Sequence, residues 1–258
     1  MSLGRYKTAK QILDQVGTEV GLGTTADPFS STNNVWRRLV ALLTSAGQRL
    51  SAEYDFPGLI AEAVLTKAAG VWTLPTGWSD AGSDVLDLPA DFDHMIPQTH
   101  WDRTNSFTVG GPLSPQMWQL RQAGTVGTIW AEFRMDSNQV RFLPVPLADR
   151  VLSLEYASRA WVRSAAVGLG NGNTLGAAAG GWDTPEAVGD WVILPPLVIE
   201  AALKLEWKKS TGQNTAQAQK DFDDLVSVYQ AKTPRAILSL DGCGVPRPTN
   251  VPDTGYGS

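Results

Sequence analysis

Leu86-Asp87-Leu88-Pro89-Ala90-Asp91-Phe92-Asp93-His94-Met95-Ile96, then Trp101-Asp102-Arg103-Thr104-Asn105, then Gly111-Pro112-Leu113-Ser114-Pro115-Gln116-Met117-Trp118-Gln119: this stretch decides how the rest of the chain is read. A short apolar strand ends at Pro89, and an Asp-Phe turn leads into a second strand. A Trp-Asp-Arg cluster follows, and then Ser114 and Pro115, which suit the cap and first position of a short helix. The pattern is that of a specific β-module, with turn chemistry at each bend.

Outward from this stretch the β period continues. Ala61–Thr66 and Val71–Leu74 are expected strands joined at Ala69-Gly70, and 75–84 is an expected loop. Val85–Leu88, Met95–Thr99, Thr128–Met135, Gln139–Leu143 and Val151–Tyr156 are further expected strands. Ser137-Asn138 suits a tight hairpin turn. Helical spacing frames the module on both sides. Ile12, Leu13 and Val16 share one face of a short helix capped by Thr8. Val35, Trp36, Leu39, Val40, Leu43, Ala46 and Leu50 recur at three- and four-residue steps behind the caps Ser31, Thr32 and Asn33. After Pro195-Pro196, Val198, Ala201, Ala202 and Leu205 define another helix. Across Thr211–Asn214, Ala218, Phe222, Leu225, Val226 and Tyr229 define its neighbour.

The expectation is therefore an α+β chain. Residues 1–57 and 190–234 form an antiparallel helical bundle built from the N- and C-terminal helices. Residues 58–163 are a β-rich insertion, 164–189 a Gly/Ala-rich loop, and 235–258 an extended C-terminal arm, rich in proline and glycine and with little means of folding alone.

Composition narrows the classes of function. At 258 residues the chain can bury a sizeable core without disulfides, and its single cysteine, Cys243, permits no internal one. A net charge of −5 leaves no basic footprint for tight nucleic-acid binding. No apolar run is long enough to span a bilayer, and Met1–Val20 lacks the apolar core of a signal peptide, so synthesis in a reducing cytoplasm is expected.

Motifs for chemistry are sparse. Gly77-Trp78-Ser79-Asp80-Ala81-Gly82 misses the nucleophile-elbow spacing by one residue and reads as a loop. No GxxxxGK[ST] occurs, and Gly168–Asn173 lacks the strand–helix context of a dinucleotide site. Asp91, Asp93, His94 and His100 lie close together with residue types that suit a divalent metal, but turn capping explains Asp91 more simply. A carboxylate pair for glycan hydrolysis is a matter of spatial separation, which sequence does not display. Asp221, Asp223 and Asp224 read as the solvated side of a helix. No enzymatic activity, metal or cofactor is expected.

Taken together, Leu88-Pro89-Ala90-Asp91-Phe92, Trp101-Asp102-Arg103 and Gly111-Pro112-Leu113-Ser114-Pro115-Gln116-x-Trp118 resemble the head-to-tail adaptor proteins of tailed bacteriophages. The nearest group is the podovirus-type tail accessory, DNA-stabilization or tail tubular A proteins. Phe142-Leu143-Pro144-Val145-Pro146, Glu155–Val162, Asp183-Thr184-Pro185-Glu186 and Leu205-Glu206-Trp207-Lys208 extend the resemblance over roughly residues 30–232, while the 77–84 and 164–181 loops look longer than the pattern.

The resemblance implies a virion protein of the particle's neck or tail, assembled in the host cytoplasm. It implies a ring, typically of twelve copies, that docks under the portal protein, extends the DNA channel and carries the tail or nozzle protein. Packaged DNA passes through the lumen without sequence-specific binding, and no membrane is involved. Pro89, Asp91, Phe92, Trp101, Asp102, Arg103, Pro112, Pro115 and Trp118 are then expected to hold the module in shape. Arg235, Ile237, Leu238, Leu240, Val245, Pro246 and Tyr256 are expected to form an arm touching the portal or a neighbouring copy. The alternatives are a cell-wall or glycan hydrolase using paired carboxylates in the β-module, and another connector or stopper ring of the same tail.

Overall fold

The structure, a computed structural model, describes residues 6–82, 84–124, 131–144, 149–165 and 181–232. The chain enters through a short strand, β1 (Lys7–Thr8), and turns into helix α1 (Ala9–Glu19). Thr8 caps this helix reciprocally with Gln11: the Gln11 amide donates to Thr8 Oγ1 at 3.3 Å, and the Thr8 amide donates to Gln11 Oε1 at 3.0 Å. Helix α2 (Asn34–Glu53) starts where Asn33 Oδ1 accepts the Val35 amide at 2.9 Å. Its apolar spacing buries Trp36, Leu39, Leu43, Ala46 and Leu50 along one stripe.

A run of strands follows: β2 (Ile60–Ala68), β3 (Val71–Thr73), β4 (Ser79–Gly82), β5 (Val85–Asp87), β6 (Phe92–Met95), β7 (Trp101–Asp102) and β8 (Phe107–Thr108). Helix α3 (Pro115–Ala123) interrupts them before β9 (Glu132–Asp136), β10 (Gln139–Leu143), β11 (Arg150–Ser158) and β12 (Val162–Arg163). The chain closes through β13 (Gly181–Trp182), β14 (Trp191–Val192), α4 (Pro196–Thr211) and α5 (Ala216–Lys232).

Three antiparallel sheets organise these strands. The largest runs β3-β2-β11-β7-β8, with β6 also paired to β11; a second runs β4-β5-β10-β9. Strand alternation makes these two sheets the walls of one sandwich. Ala61, Ala63 and Leu65 of β2, with Leu152, Leu154 and Tyr156 of β11, share a core with Leu86, Phe133, Val140 and Phe142 from the second sheet. The Trp72 and Phe142 rings meet across it, with centroids 6.0 Å apart. The residues between these inward positions consequently face outward on opposite sides of the sandwich.

The third sheet, β1-β14-β12-β13, overturns the expected architecture. The chain is not a helical bundle of N- and C-terminal helices carrying a β-rich insertion. Among the described residues most elements are strands, arranged in three antiparallel sheets, with five helices distributed between them. Lys7 pairs with Val192, and Val162 pairs with both Val192 and Trp182, so one sheet joins both segments expected to form the helical bundle to the end of the expected β-rich insertion and of the expected Gly/Ala-rich loop. Strands of two residues have no period to detect; they exist only because a distant partner supplies the ladder. β4 lies within the expected loop at 75–84, where the neighbouring β5 supplies its ladder, and β6 spans Phe92–Met95 rather than the expected Met95–Thr99, because β11 pairs it from Phe92 to Met95.

Four of the described helices, all but α3, pack onto this third sheet. Trp161, Val162, Val192 and Leu194 join the apolar faces of α1, α2, α4 and α5 in one core. Ionic ties cross it at the margins. Glu200, 2% exposed, accepts Lys7 Nζ at 2.6 Å and Gln15 Nε2 at 2.9 Å, and Arg49 of α2 reaches Glu206 of α4 at 2.7 Å. The Gly/Ala-rich stretch lies outside the described residues from 166 to 180, and so does the chain after residue 232.

Candidate functional site

The outer face of the six-stranded sheet carries an open cleft of about 540 Å³. Its floor follows from register. Glu155 of β11 lies directly opposite Glu62 of β2, and Ser153 lies opposite both Val64 and Trp101 of β7. Thr99 forms one side: Thr99 Oγ1 accepts the Glu155 amide at 3.1 Å and donates to the Ile96 carbonyl at 2.8 Å. Arg103 closes another side and is ion-paired to Glu62. Ser153 is 5% exposed and lines the cleft. The Glu155 carboxylate has no partner among the described residues.

Like charges directly opposite on neighbouring strands repel and destabilise the pairing. Arg103 offsets Glu62 and leaves Glu155 uncompensated. The arrangement can therefore accept a cationic or hydrogen-bond-donating group, with the Trp101 ring beside it for a planar guanidinium or an ammonium.

The residues singled out from sequence play supporting parts around this cleft. Asp91 is buried; Ser158 Oγ donates to its Oδ2 at 2.5 Å, and the Arg159 amide donates to its main-chain oxygen at 2.8 Å. Its other carboxylate oxygen has no partner among the described residues. Burial first, and the nearby Asp91 charge second, push the Tyr156 hydroxyl well above its usual range. Pro89, also buried, accepts the Phe92 amide at 3.0 Å to make the turn, and the Phe92 ring packs 5.7 Å from Tyr156.

Asp102 is the turn's anchor. Its Oδ1 accepts the amides of Thr104 and Asn105 at 3.0 and 3.1 Å, and its Oδ2 faces Asn105 Nδ2 at 2.8 Å and Arg150 Nη1 at 3.3 Å. Pro112 follows Gly111, whose backbone lies so close to β9 that a Cβ there would come within 2.5 Å of the Phe133 carbonyl oxygen. Ser114 caps α3, Pro115 opens it, and Trp118 is its one buried residue. The arm residues Arg235, Ile237, Leu238, Leu240, Val245, Pro246 and Tyr256 lie outside the described residues.

The metal reading of Asp91, Asp93, His94 and His100 dissolves in three directions. Asp91 points inward to Ser158. Asp93 receives Arg159 Nε at 2.8 Å and faces His94 Nδ1 at 2.8 Å. The opposite ring nitrogen of His94 lies 3.3 Å from Asp55, just beyond α2. Burial pulls the His94 pKa down, but Asp93 and Asp55 outweigh it, and the net shift is upward from 6.5. His100 is buried edge-on to Phe133 at 4.8 Å, and burial alone lowers its pKa. Among the described residues, no group of three or more His, Cys, Asp or Glu side chains is placed to hold a metal ion.

No family model matches this chain, and no curated protein matches it. Among the described residues no helix is long and apolar enough to cross a membrane. Sequence reasoning missed Glu62 and Glu155 as a pair. The alternation of Leu152-Ser153-Leu154-Glu155-Tyr156 marks Glu155 as outward-facing, but only the β2–β11 register sets it opposite Glu62.

Proposed function

We propose that this chain is a structural subunit of a tailed-bacteriophage particle: an adaptor ring docked under the portal protein, which lengthens the DNA channel, helps retain packaged DNA and carries the tail or nozzle protein. The carrying observation is how the motif behind the resemblance is used. Asp91, Asp102 and Trp118 are each buried, and each spends its polar or aromatic group on holding a turn or a short helix. Residues so engaged support a scaffold whose work is done by its surfaces. Acidic balance also favours a channel wall, since DNA sliding past must not adhere.

The test is to mix the full chain with its phage's portal ring and examine the product by electron microscopy and sedimentation. A ring of copies capping one end of the portal is expected; a portal that stays bare at saturating chain sinks the proposal. Another ring of the same tail, such as a stopper, would appear in that experiment as binding only after a first adaptor is present.

One observation favours a second reading. A glycan hydrolase needs two carboxylates flanking the scissile bond, and Glu62 with Glu155, beside Trp101, is the pair this fold brings into a cleft. Release of reducing sugar from cell-wall glycan, abolished by Glu155→Gln, would establish that reading.

A further inference from the structure

We infer that the two outer faces of the β-sandwich are complementary, and that a second copy of this chain docks its β9–β10 face into the Glu62–Glu155 cleft. The inference rests on the ring reading for the closure of successive contacts, and it goes further by naming the surfaces.

The opposite face of the sandwich repeats the unusual feature of the cleft with the sign inverted. Arg134 of β9 and Arg141 of β10 are directly opposed across the strand pair, just as Glu62 and Glu155 are across β2 and β11. Each cluster holds one compensating group. Asp136 lies 3.5 Å from Arg141, as Arg103 pairs with Glu62. Each therefore leaves one charge over. Arg134 has no ion-pair partner among the described residues, and neither has Glu155. At the margins of the basic cluster, Glu132 is taken by Arg121 at 2.9 Å, and Asp87 accepts from Ser79 and Gln139 at 2.8 Å each.

The inward residues place the clusters. Phe133, Val140 and Phe142 alternate with the arginines, while Ala61, Ala63, Leu154 and Tyr156 alternate with the glutamates, and all seven belong to one core. The acid pair and the basic pair thus lie on opposite sides of the sandwich, so a single copy cannot join them to each other.

Two opposed like-charge pairs each weaken their own sheet, and each is relieved by the other when copies meet head to tail. Such a contact uses different patches on the two partners, and repeated with rotation it closes a ring. A guanidinium entering the cleft meets the Glu155 carboxylate, the buried Ser153 hydroxyl as an acceptor, and the Trp101 ring as a stacking surface. Charge matching of this kind sets orientation and partner choice.

Sedimentation of the full chain at low salt tests this with three samples: wild type, Arg134→Glu and Glu155→Arg. Wild type is expected to gain mass with concentration and to lose it in high salt. Each variant alone should associate at least tenfold more weakly, with an unchanged circular dichroism spectrum. Mixed in equal amounts, the two should associate again, because each supplies the face the other needs. Wild type that stays monomeric at low salt, or variants that associate as wild type does, would overturn the inference. A portal-bound ring formed equally by all three chains would also overturn it while leaving the ring reading intact; a bare portal would remove the ring reading itself.

Discussion

The indole of Trp161 occupies the space where any side chain at position 47 would begin: a Cβ on Gly47 of α2 would fall 2.2 Å from its Cζ2. Trp161 immediately precedes β12 and is completely buried, so this contact presses the entry to the third sheet against α2, the longest helix among the described residues. Gly47→Ala must displace the ring. Overpacking costs about 1–3 kcal/mol, and the gain in helix propensity returns at most about 1 kcal/mol. A net fall in stability by urea denaturation is expected. An unchanged midpoint would show that the indole moves freely.

Lys67 and Asp84 form an ion pair inside the sandwich, with side chains 6% and 2% exposed and the Lys67 ammonium 5.4 Å from the Trp72 ring centre. Asp84 sits at φ +59°, which Asn tolerates. Asp84→Asn leaves a buried ammonium without its carboxylate and should cost about 3–5 kcal/mol. Adding Lys67→Met should recover most of that, because an apolar side chain of similar length removes the stranded charge. Equal denaturation midpoints for the single and double variants would refute this account.

The two histidines should pull stability in opposite directions with pH. His94, held between Asp93 and Asp55, has a raised pKa, so the folded state binds its proton more tightly than the unfolded state does. Its contribution is fully present below pH 6.5 and is lost as pH rises through the raised value. His100 has a lowered pKa, so it favours the fold above pH 6.5 and loses that contribution as pH falls toward the lowered value. Chemical denaturation across this range should flatten on the alkaline side in His94→Gln and on the acid side in His100→Gln. Ring-proton titration by NMR should order the two midpoints with His94 above His100.

Glu155→Gln removes the repulsion across β2 and β11. The isolated chain should become more stable by roughly 0.2–1 kcal/mol, while its self-association at low salt weakens. A variant that is both less stable and fully able to associate would show that Glu155 serves the sheet and not a partner.

Much of the local structure was legible in the residues themselves. Thr8, Asn33 and Ser114 announce their helices because a cap acts within three residues. The Ala69-Gly70 turn and the alternation of β10 and β11 depend equally on near neighbours, and the residues expected there form those elements. What the sequence by itself determined is the faces: which side of each long strand and helix is apolar, and where the turns must bend. Only the tertiary structure decided what those faces meet. The β1-β14-β12-β13 sheet runs where a helical bundle alone was expected, because two-residue strands carry no period and form only against a partner far along the chain. Glu62 lies opposite Glu155, and Arg134 opposite Arg141, through register, which long-range hydrogen bonding sets. Charge pairing across strands is a property of two segments at once, and no single stretch of residues contains it.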